Sequence, residues 1–91
     1  MQELHAIIRG RVQLVMFRDF TQRHAKKLGL KGFVRNLQNG TVEVLAQGEE
    51  QELTLLLQTL HRGPLLAHVE SVESEVRESA DAFDTFGIAY E

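Results

Sequence analysis

Two periods in the pattern of apolar and polar residues predict a chain that mixes strands with helices. In several short segments apolar residues alternate with polar ones, which is the pattern of a strand with one buried face. In longer segments they recur every three or four residues, as on the buried side of an amphipathic helix. The predicted strands cover residues 4–9, 31–37, 41–46 and 69–76 and a final segment with Phe86, Ile88 and Tyr90; the predicted helices cover residues 17–28 and the segment that carries Leu53, Leu56, Leu57 and Leu60.

Glycine, asparagine and one change of spacing indicate where these elements end or bend. Gly10 is expected to end the first strand, and Gly29 the first helix, because glycine readily adopts the left-handed conformation at a helix end. Asn39–Gly40 predicts a hairpin turn between the second and third strands, since both residues tolerate positive φ. The three-residue step from Val69 to Val72 breaks the alternation and predicts a bulge in the fourth strand.

The order of the predicted elements favours an α+β fold, a ferredoxin-like sandwich. The order is β-α-β-β-α-β, with a polar loop over residues 79–82 before the short final segment. Two helices of this size cannot cover both faces of a four-stranded sheet in a chain of 91 residues. We therefore expect both helices on one face of a mainly antiparallel sheet, with the other face partly open to water. The length allows one core, so we expect a single domain over residues 1–91.

Composition and charge exclude several classes of protein. The chain is 43% hydrophobic and 25% charged, which is ordinary for a globular domain. A net charge of -3 without a dense Lys/Arg block argues against broad attraction to nucleic acid or anionic membranes. No segment approaches the ~20 apolar residues that span a bilayer. The absence of cysteine excludes a disulfide framework, a thiolate metal site and a cysteine nucleophile, and favours a cytoplasmic location.

The segment between the first strand and the first helix is the best candidate for binding an anion. A loop over residues 10–18 can aim several backbone N–H groups at one point beside the positive end of the helix. Arg18 lies at that helix start, where the dipole does not favour a cation, which suggests an anion between them. This local pattern on its own favours a solvated surface arginine. Asn36 could likewise be a functional residue or a residue that begins the turn. Asparagine is depleted in strands, and the position of Asn36 alone favours the residue that begins the turn.

Two spaced motifs resemble the signatures of the acylphosphatase family. Residues 10–18 read Gly-Arg-Val-Gln-Leu-Val-Met-Phe-Arg and are similar to the family's phosphate loop, Gly-x-Val-Gln-Gly-Val-x-Phe-Arg. Residues 32–36, Gly-Phe-Val-Arg-Asn, and residues 39–43, Asn-Gly-Thr-Val-Glu, resemble the second signature, Gly-aromatic-Val-x-Asn-x-x-x-Gly-x-Val-Glu. Gln47–Gly48 and the terminal Phe86-x-Ile88-x-Tyr90 also fit, so the resemblance covers nearly the whole chain.

The resemblance implies an enzyme that hydrolyses small acyl phosphates to a carboxylate and inorganic phosphate, with the phosphate also acting as an inhibitor. Arg18 stands where the family has its phosphate-binding arginine, and Asn36 where it has its water-orienting asparagine. No metal and no cofactor are implied. The implied phosphate-binding loop consists of Gln13, Leu14, Val15, Met16, Phe17 and Arg18.

The partners expected on these grounds are few. We predict a cytoplasmic monomer that acts on a small molecule and binds neither nucleic acid nor a membrane. The spacing of the histidines shows no pattern of metal ligands, which agrees with the absence of an implied metal. These histidines are His5, His24, His61 and His68.

One position departs from the family's pattern and leaves a rival function open. Leu14 stands where the family's loop has its second glycine. If the backbone there keeps positive φ, leucine is strained and glycine would not be. The rival is a catalytically weak relative that binds an acyl phosphate or phosphate.

A second rival is an RNA-binding module of the same topology. The RNA recognition motif shares the β-α-β-β-α-β order, and Lys31-Gly32-Phe33 could begin one of its motifs. The residues that follow do not continue that motif. It would also fall on the second strand rather than the third, and the net charge is unfavourable for RNA.

Overall fold

The chain folds into one sheet with two helices packed against it. The computed structural model describes residues 1–79 and 81–91; residue 80, in the predicted polar loop over residues 79–82, lies outside the described residues. Neither of the described helices is both long enough and apolar enough to cross a membrane. The elements in chain order are β1 (Gln2–Arg11), α1 (Phe17–Lys27), β2 (Lys31–Asn36), β3 (Val42–Gly48), α2 (Glu50–Arg62), β4 (His68–Glu78) and β5 (Phe86–Ile88).

The topology is the predicted ferredoxin-like sandwich. Within the described residues, five strands form one sheet in the order β4-β1-β3-β2-β5, one more than the four expected, because the short β5 pairs with the edge of β2. Strand β1 pairs antiparallel with β3 and with β4, and β2 pairs antiparallel with β3. Only the short β5 runs parallel to its neighbour, β2. The expectation of a mainly antiparallel sheet is therefore confirmed, and the C-terminal segment lies beside the strand that ends at Asn36.

The core lies between one face of the sheet and the two helices. The alternation predicted for β1 is confirmed, because Leu4, Ala6 and Ile8 are buried against the helices. Leu53, Leu56 and Leu60 of α2 also belong to the core rather than to an exposed groove. The largest apolar members of the cluster on the strands and helices are Leu4, Ile8, Val34, Val42, Val44, Phe17, Leu53, Leu56, Leu60 and Phe86.

Gly10 corrects one predicted boundary, because β1 continues through it to Arg11. The pairing of β1 with β4 shifts beside Gly10, where Glu70 is an extra residue on β4 without a partner. A Cβ at position 10 would collide with the carbonyl oxygen of His68 and lie 2.8 Å from the Glu70 nitrogen, and φ there is 128°. Glycine is thus needed inside β1 because the backbone of β4 approaches closely at the bulge, and it does not mark the end of the strand. The bulge predicted in the fourth strand is confirmed.

The face of the sheet without helices carries a charged cluster on Glu43 of β3. His5 Nε2 lies 2.8 Å from one carboxylate oxygen of Glu43, and Arg35 Nε donates to the other at 2.6 Å. Burial opposes ionisation of this carboxyl, but the hydrogen bonds with His5 and Arg35 outweigh it and hold its pKa below the usual 4.5. The pKa of Glu3 is lowered in the same way, by hydrogen bonds that outweigh burial.

The free energy of unfolding is expected to fall as the pH drops from 7 to 4. Burial lowers the pKa of His24 below its usual 6.5, and the nearby charges of Lys27, Arg62 and Arg23 lower it further. The unfolded chain therefore takes up a proton at a higher pH than the folded chain, so stability is lost as the pH falls below 6.5. The lowered pKa values of the two glutamates add a second loss below 4.5.

Urea unfolding curves at pH 7, 5.5 and 4 measure both losses. His24→Gln should remove the loss between pH 7 and 5.5 and leave the loss below pH 4.5 in place. A free energy of unfolding that stays constant from pH 7 to 4 would show that these lowered pKa values do not exist in solution.

Candidate active site

A cleft at one end of the sheet brings the two predicted catalytic residues together. It has a volume of about 170 Å³ and lies where the β1–α1 loop, the end of β2 and the C-terminal segment meet. Arg18 reaches it from the first turn of α1, and Asn36 from the last residue of β2. The residues that line it are Val12, Leu14, Met16, Phe17, Arg18, Asp19, Asn36, Ile88 and Tyr90.

The loop before α1 leaves the helix N-terminus uncapped. Leu14 and Met16 have left-handed backbone, with φ of 62° and 63°. Met16 is the N-cap residue and makes no side-chain capping bond. The first bond into the helix runs from Phe20 N–H to the Met16 carbonyl at 3.0 Å, so the amides of residues 17–19 have no acceptor within the helix. These N–H groups and the positive end of the helix dipole can bind an anion in the cleft.

Arg18 is the cation of the cleft. Its guanidinium carbon lies 5.5 Å from the centre of the Tyr90 ring. Within residues 1–79 and 81–91 its side chain forms neither a hydrogen bond nor an ion pair. An aromatic face orients the planar guanidinium while leaving its N–H edge free to donate.

The position of Tyr90 corrects the prediction for the last strand. Tyr90 was expected to share one apolar strand face with Phe86 and Ile88, but β5 ends at Ile88 and Tyr90 is exposed. The last ladder bond runs from Ala89 N–H to the carbonyl of Val34 at 2.9 Å, so the chain beyond it is free to leave the sheet. Tyr90 then covers Arg18 instead of the core.

Asn36 carries an acceptor without a donor. Its side-chain oxygen Oδ1 is buried and has no hydrogen-bond partner among the described residues. Leaving a buried oxygen unpaired costs about 1–3 kcal/mol, so such an atom is rare outside functional positions. Asn36 is also one of the residues that line the cleft.

Gln13 joins the loop to the turn that follows Asn36. Its Nε2 donates to the carbonyl oxygens of Leu37 and Thr41, at 2.7 and 2.8 Å. Because these two carbonyls flank the β2–β3 turn, the contact sets the distance between the strand of Asn36 and the loop of Arg18. The sequence motif includes Gln13 in the phosphate loop without indicating this contact.

The β2–β3 turn uses only one residue of the predicted pair in the predicted way. Among the described residues of this turn, Gly40 has positive φ, at 90°. Asn39 acts through its side chain, whose Oδ1 accepts bonds from the backbone nitrogen and the hydroxyl of Thr41 at 3.1 and 2.6 Å.

Asp19 also lines the cleft, although nothing in the sequence pattern marks it. Its carboxylate accepts a hydrogen bond from Arg23 Nε at 3.0 Å, one helical turn further along α1. This ion pair offsets a negative charge that would otherwise oppose the binding of an anion. In the described part of the chain, no group of three or more His, Asp or Glu residues is arranged to hold a metal ion.

Comparison with known proteins settles the family. The family model for acylphosphatases matches residues 4–88. The chain belongs to the acylphosphatase family. An acylphosphatase of Pseudomonas paraeruginosa is 53% identical over 72 residues, which are 79% of each chain. An acylphosphatase of Salinibacter ruber is 41% identical over 87 residues, which cover 96% of this chain and 92% of the relative. The crystal structure of the acylphosphatase from Bacillus subtilis superposes with a TM-score of 0.96 at 34% identity, covering 99% of this chain and 100% of that one.

Family membership confirms the fold class and the activity that the two motifs predict. This acylphosphatase hydrolyses the bond between a carboxyl group and a phosphoryl group. The match favours the hydrolase over the RNA-binding alternative. The roles of individual cleft residues rest on their geometry.

Leu14→Gly is expected to raise the activity of this acylphosphatase or to tighten its binding of phosphate. Leu14 has φ of 62°, where a side chain costs roughly 1–2 kcal/mol and glycine is unstrained. Its side chain is 94% exposed, so removing it sacrifices no packing. Turnover of benzoyl phosphate and calorimetric titration with inorganic phosphate measure the two effects.

Leu14→Ala is the matched control, since alanine removes the bulk of leucine but keeps a Cβ at the same φ. It should show none of the gain. If Leu14→Gly leaves the activity unchanged and lowers the melting temperature, Leu14 stabilises the loop and is not a source of strain.

Proposed function

We propose that Arg18 and the backbone amides of the β1–α1 loop hold the phosphoryl group in the cleft, and that Asn36 orients the attacking water. The observation that carries this proposal is that Arg18 and Asn36, each with an unsatisfied polar group, line one cavity. Among the described residues, the guanidinium of Arg18 has no acceptor and the buried Oδ1 of Asn36 has no donor. A phosphoryl group complements the guanidinium, and a water molecule can form a hydrogen bond with the amide of Asn36.

The chemistry needs little more than these groups. An acyl phosphate releases a carboxylate, whose conjugate acid has a pKa of about 4, so the leaving group needs no general acid. Phosphoryl transfer then requires positioning and stabilisation of the charge on the phosphoryl oxygens. The forked donors of Arg18 and the free amides at the start of α1 supply that stabilisation.

The reaction proceeds by displacement at phosphorus. The water molecule that is hydrogen-bonded to Asn36 attacks, and its oxygen forms a bond to phosphorus while the bond from phosphorus to the carboxyl oxygen breaks. The electron pair of that bond leaves with the carboxylate. A phosphoryl oxygen of the substrate takes the proton of the water, because Asp19, the titratable carboxyl in the cleft, is already paired with Arg23.

The experiment is benzoyl phosphate turnover by the wild type beside variants of Arg18 and Asn36. The proposal requires competitive inhibition of the wild type by inorganic phosphate and loss of turnover in both variants. Full turnover in either variant would remove that residue from the mechanism.

Strain at Leu14 favours a second candidate, a relative that binds the acyl phosphate but turns it over slowly. Its φ of 62° is a conformation that leucine adopts only at a cost. The Leu14→Gly variant distinguishes an efficient acylphosphatase from such a slow relative. A large gain in turnover on this substitution would identify the natural chain as the slow relative.

The enzyme is further proposed to act as a cytoplasmic monomer, a single domain over residues 1–91 that uses no metal or cofactor and binds no nucleic acid or membrane. The absence of cysteine supports the cytoplasmic location, and the net charge of -3 supports the lack of binding to nucleic acid and membranes. Gel filtration and a gel shift with RNA at low salt test it.

A further inference from the structure

A second, apolar groove adjoins the catalytic cleft. It has a volume of about 240 Å³ and lies between the start of α1 and the turn that follows α2. Met16 lines both the cleft and this groove, so the two adjoin at this residue. Val15 and Phe20 form its wall on one side, and Pro64, Leu65 and Leu66 form the other.

The turn beside the groove displays leucines where turns ordinarily carry polar residues. A hydrogen bond from Ala67 N–H to the Pro64 carbonyl at 3.0 Å closes the turn around Leu65 and Leu66. Leu65 is 97% exposed and Leu66 is 66% exposed. Neither packs in the core, so folding does not explain them. Exposed apolar residues that cluster beside a cleft are typical of a ligand-binding surface.

The groove adjoins the cleft on the side of the β1–α1 loop. Displacement at phosphorus places the leaving carboxylate opposite the attacking water, hence on the side of the phosphoryl group away from the water proposed at Asn36. Asn36 reaches the cleft from the end of β2, whereas Met16 reaches it from the β1–α1 loop. An acyl group that leaves the phosphoryl group past Met16 would lie in the groove.

The geometry points to the groove of Met16, Leu65 and Leu66 as the binding site for the acyl group, and to acyl phosphates with an extended aliphatic or aromatic acyl group as preferred substrates. This inference rests on the proposed phosphate site at Arg18. The flexible side chain of Met16 can adapt to acyl groups of different shape. Arg23 lies at the edge of the groove, with its charge paired to Asp19.

Chain-length dependence tests the inference. The wild type is expected to show kcat/KM that rises about two- to fourfold per methylene from acetyl to hexanoyl phosphate, as for partial burial of each CH₂. The double variant Leu65→Gln and Leu66→Gln should keep its kcat/KM for acetyl phosphate within twofold and lose at least fivefold for hexanoyl phosphate. Leu55→Gln is the matched control, because Leu55 is an exposed leucine of α2 beside Glu50 and Thr54 instead. Leu55→Gln should leave kcat/KM unchanged for both acetyl and hexanoyl phosphate.

Methylphosphonate and hexylphosphonate, which cannot be hydrolysed, give a second readout as competitive inhibitors. The inhibition constant of methylphosphonate divided by that of hexylphosphonate should fall in the double variant. The same ratio should stay unchanged in Leu55→Gln. A wild type without preference for hexanoyl over acetyl phosphate, or a double variant with unchanged ratios, overturns the inference. Failure of the proposed phosphate site is distinct from this, because it would appear as acetyl phosphate turnover that does not depend on Arg18.

Discussion

Arg18→Ala is expected to lower kcat/KM for benzoyl phosphate by roughly 1,000-fold or more, in the range found when an arginine that stabilises a transferring phosphoryl group is lost. The guanidinium of Arg18 is a cation that lines the cleft, and the ring of Tyr90 orients it. Both substrate binding and turnover should fall, and competitive inhibition by inorganic phosphate should weaken with them. Arg18→Lys should lie between wild type and alanine, because it keeps the charge and loses the fork of donors.

Arg9→Ala is the control for this loss. Arg9 is an exposed arginine of β1 that pairs with Glu73 at 2.8 Å, away from the cleft. Its removal should leave benzoyl phosphate turnover within twofold of the wild type. If Arg18→Ala retains near wild-type turnover while its circular dichroism is native, Arg18 does not hold the phosphoryl group.

Asn36→Ala is expected to lower kcat by ~100-fold or more, as when one transition-state hydrogen bond is lost, and to leave the affinity for phosphate nearly unchanged. Asn36 is proposed to contact the water and not the phosphoryl group, so only turnover should suffer. The variant should be no less stable than the wild type, since it removes a buried oxygen that has no partner among the described residues. Kinetics, calorimetry with phosphate and a melting curve give the three values.

Gln38→Ala provides the comparison, because it removes an exposed amide side chain two residues after Asn36, in the β2–β3 turn. It should affect neither turnover nor phosphate affinity. A phosphate affinity that falls as far as the rate in Asn36→Ala would assign Asn36 to the phosphoryl group instead of the water.

The sequence predicts the fold well because burial dictates the spacing of apolar residues. Leu4, Ala6 and Ile8 alternate since one face of β1 packs on the helices, and the leucines of α2 recur at helical spacing for the same reason. The boundary predicted at Gly10 was wrong because glycine occurs both where strands end and where two backbones approach each other closely inside a sheet. Only the pairing of β1 with β4 shows which of these applies.

The site was predictable only in part, because its contacts join segments that are distant in the chain. The motifs name Arg18 and Asn36, but no local pattern reveals that Tyr90 lies over Arg18 or that Gln13 bonds the turn after Asn36. The strain at Leu14 was conditional on a φ that a sequence does not contain. The structure supplies that value, 62°.

The most direct test of where the phosphoryl group binds is a titration of the wild-type protein with inorganic phosphate, followed by backbone amide NMR shifts. The phosphate site proposed in the cleft predicts saturable shifts that are largest at residues 14–18 and that vanish in Arg18→Ala. The largest shifts at the exposed basic face of α1, at Lys26 and Lys27, would contradict it, and so would the absence of saturable shifts anywhere in the chain.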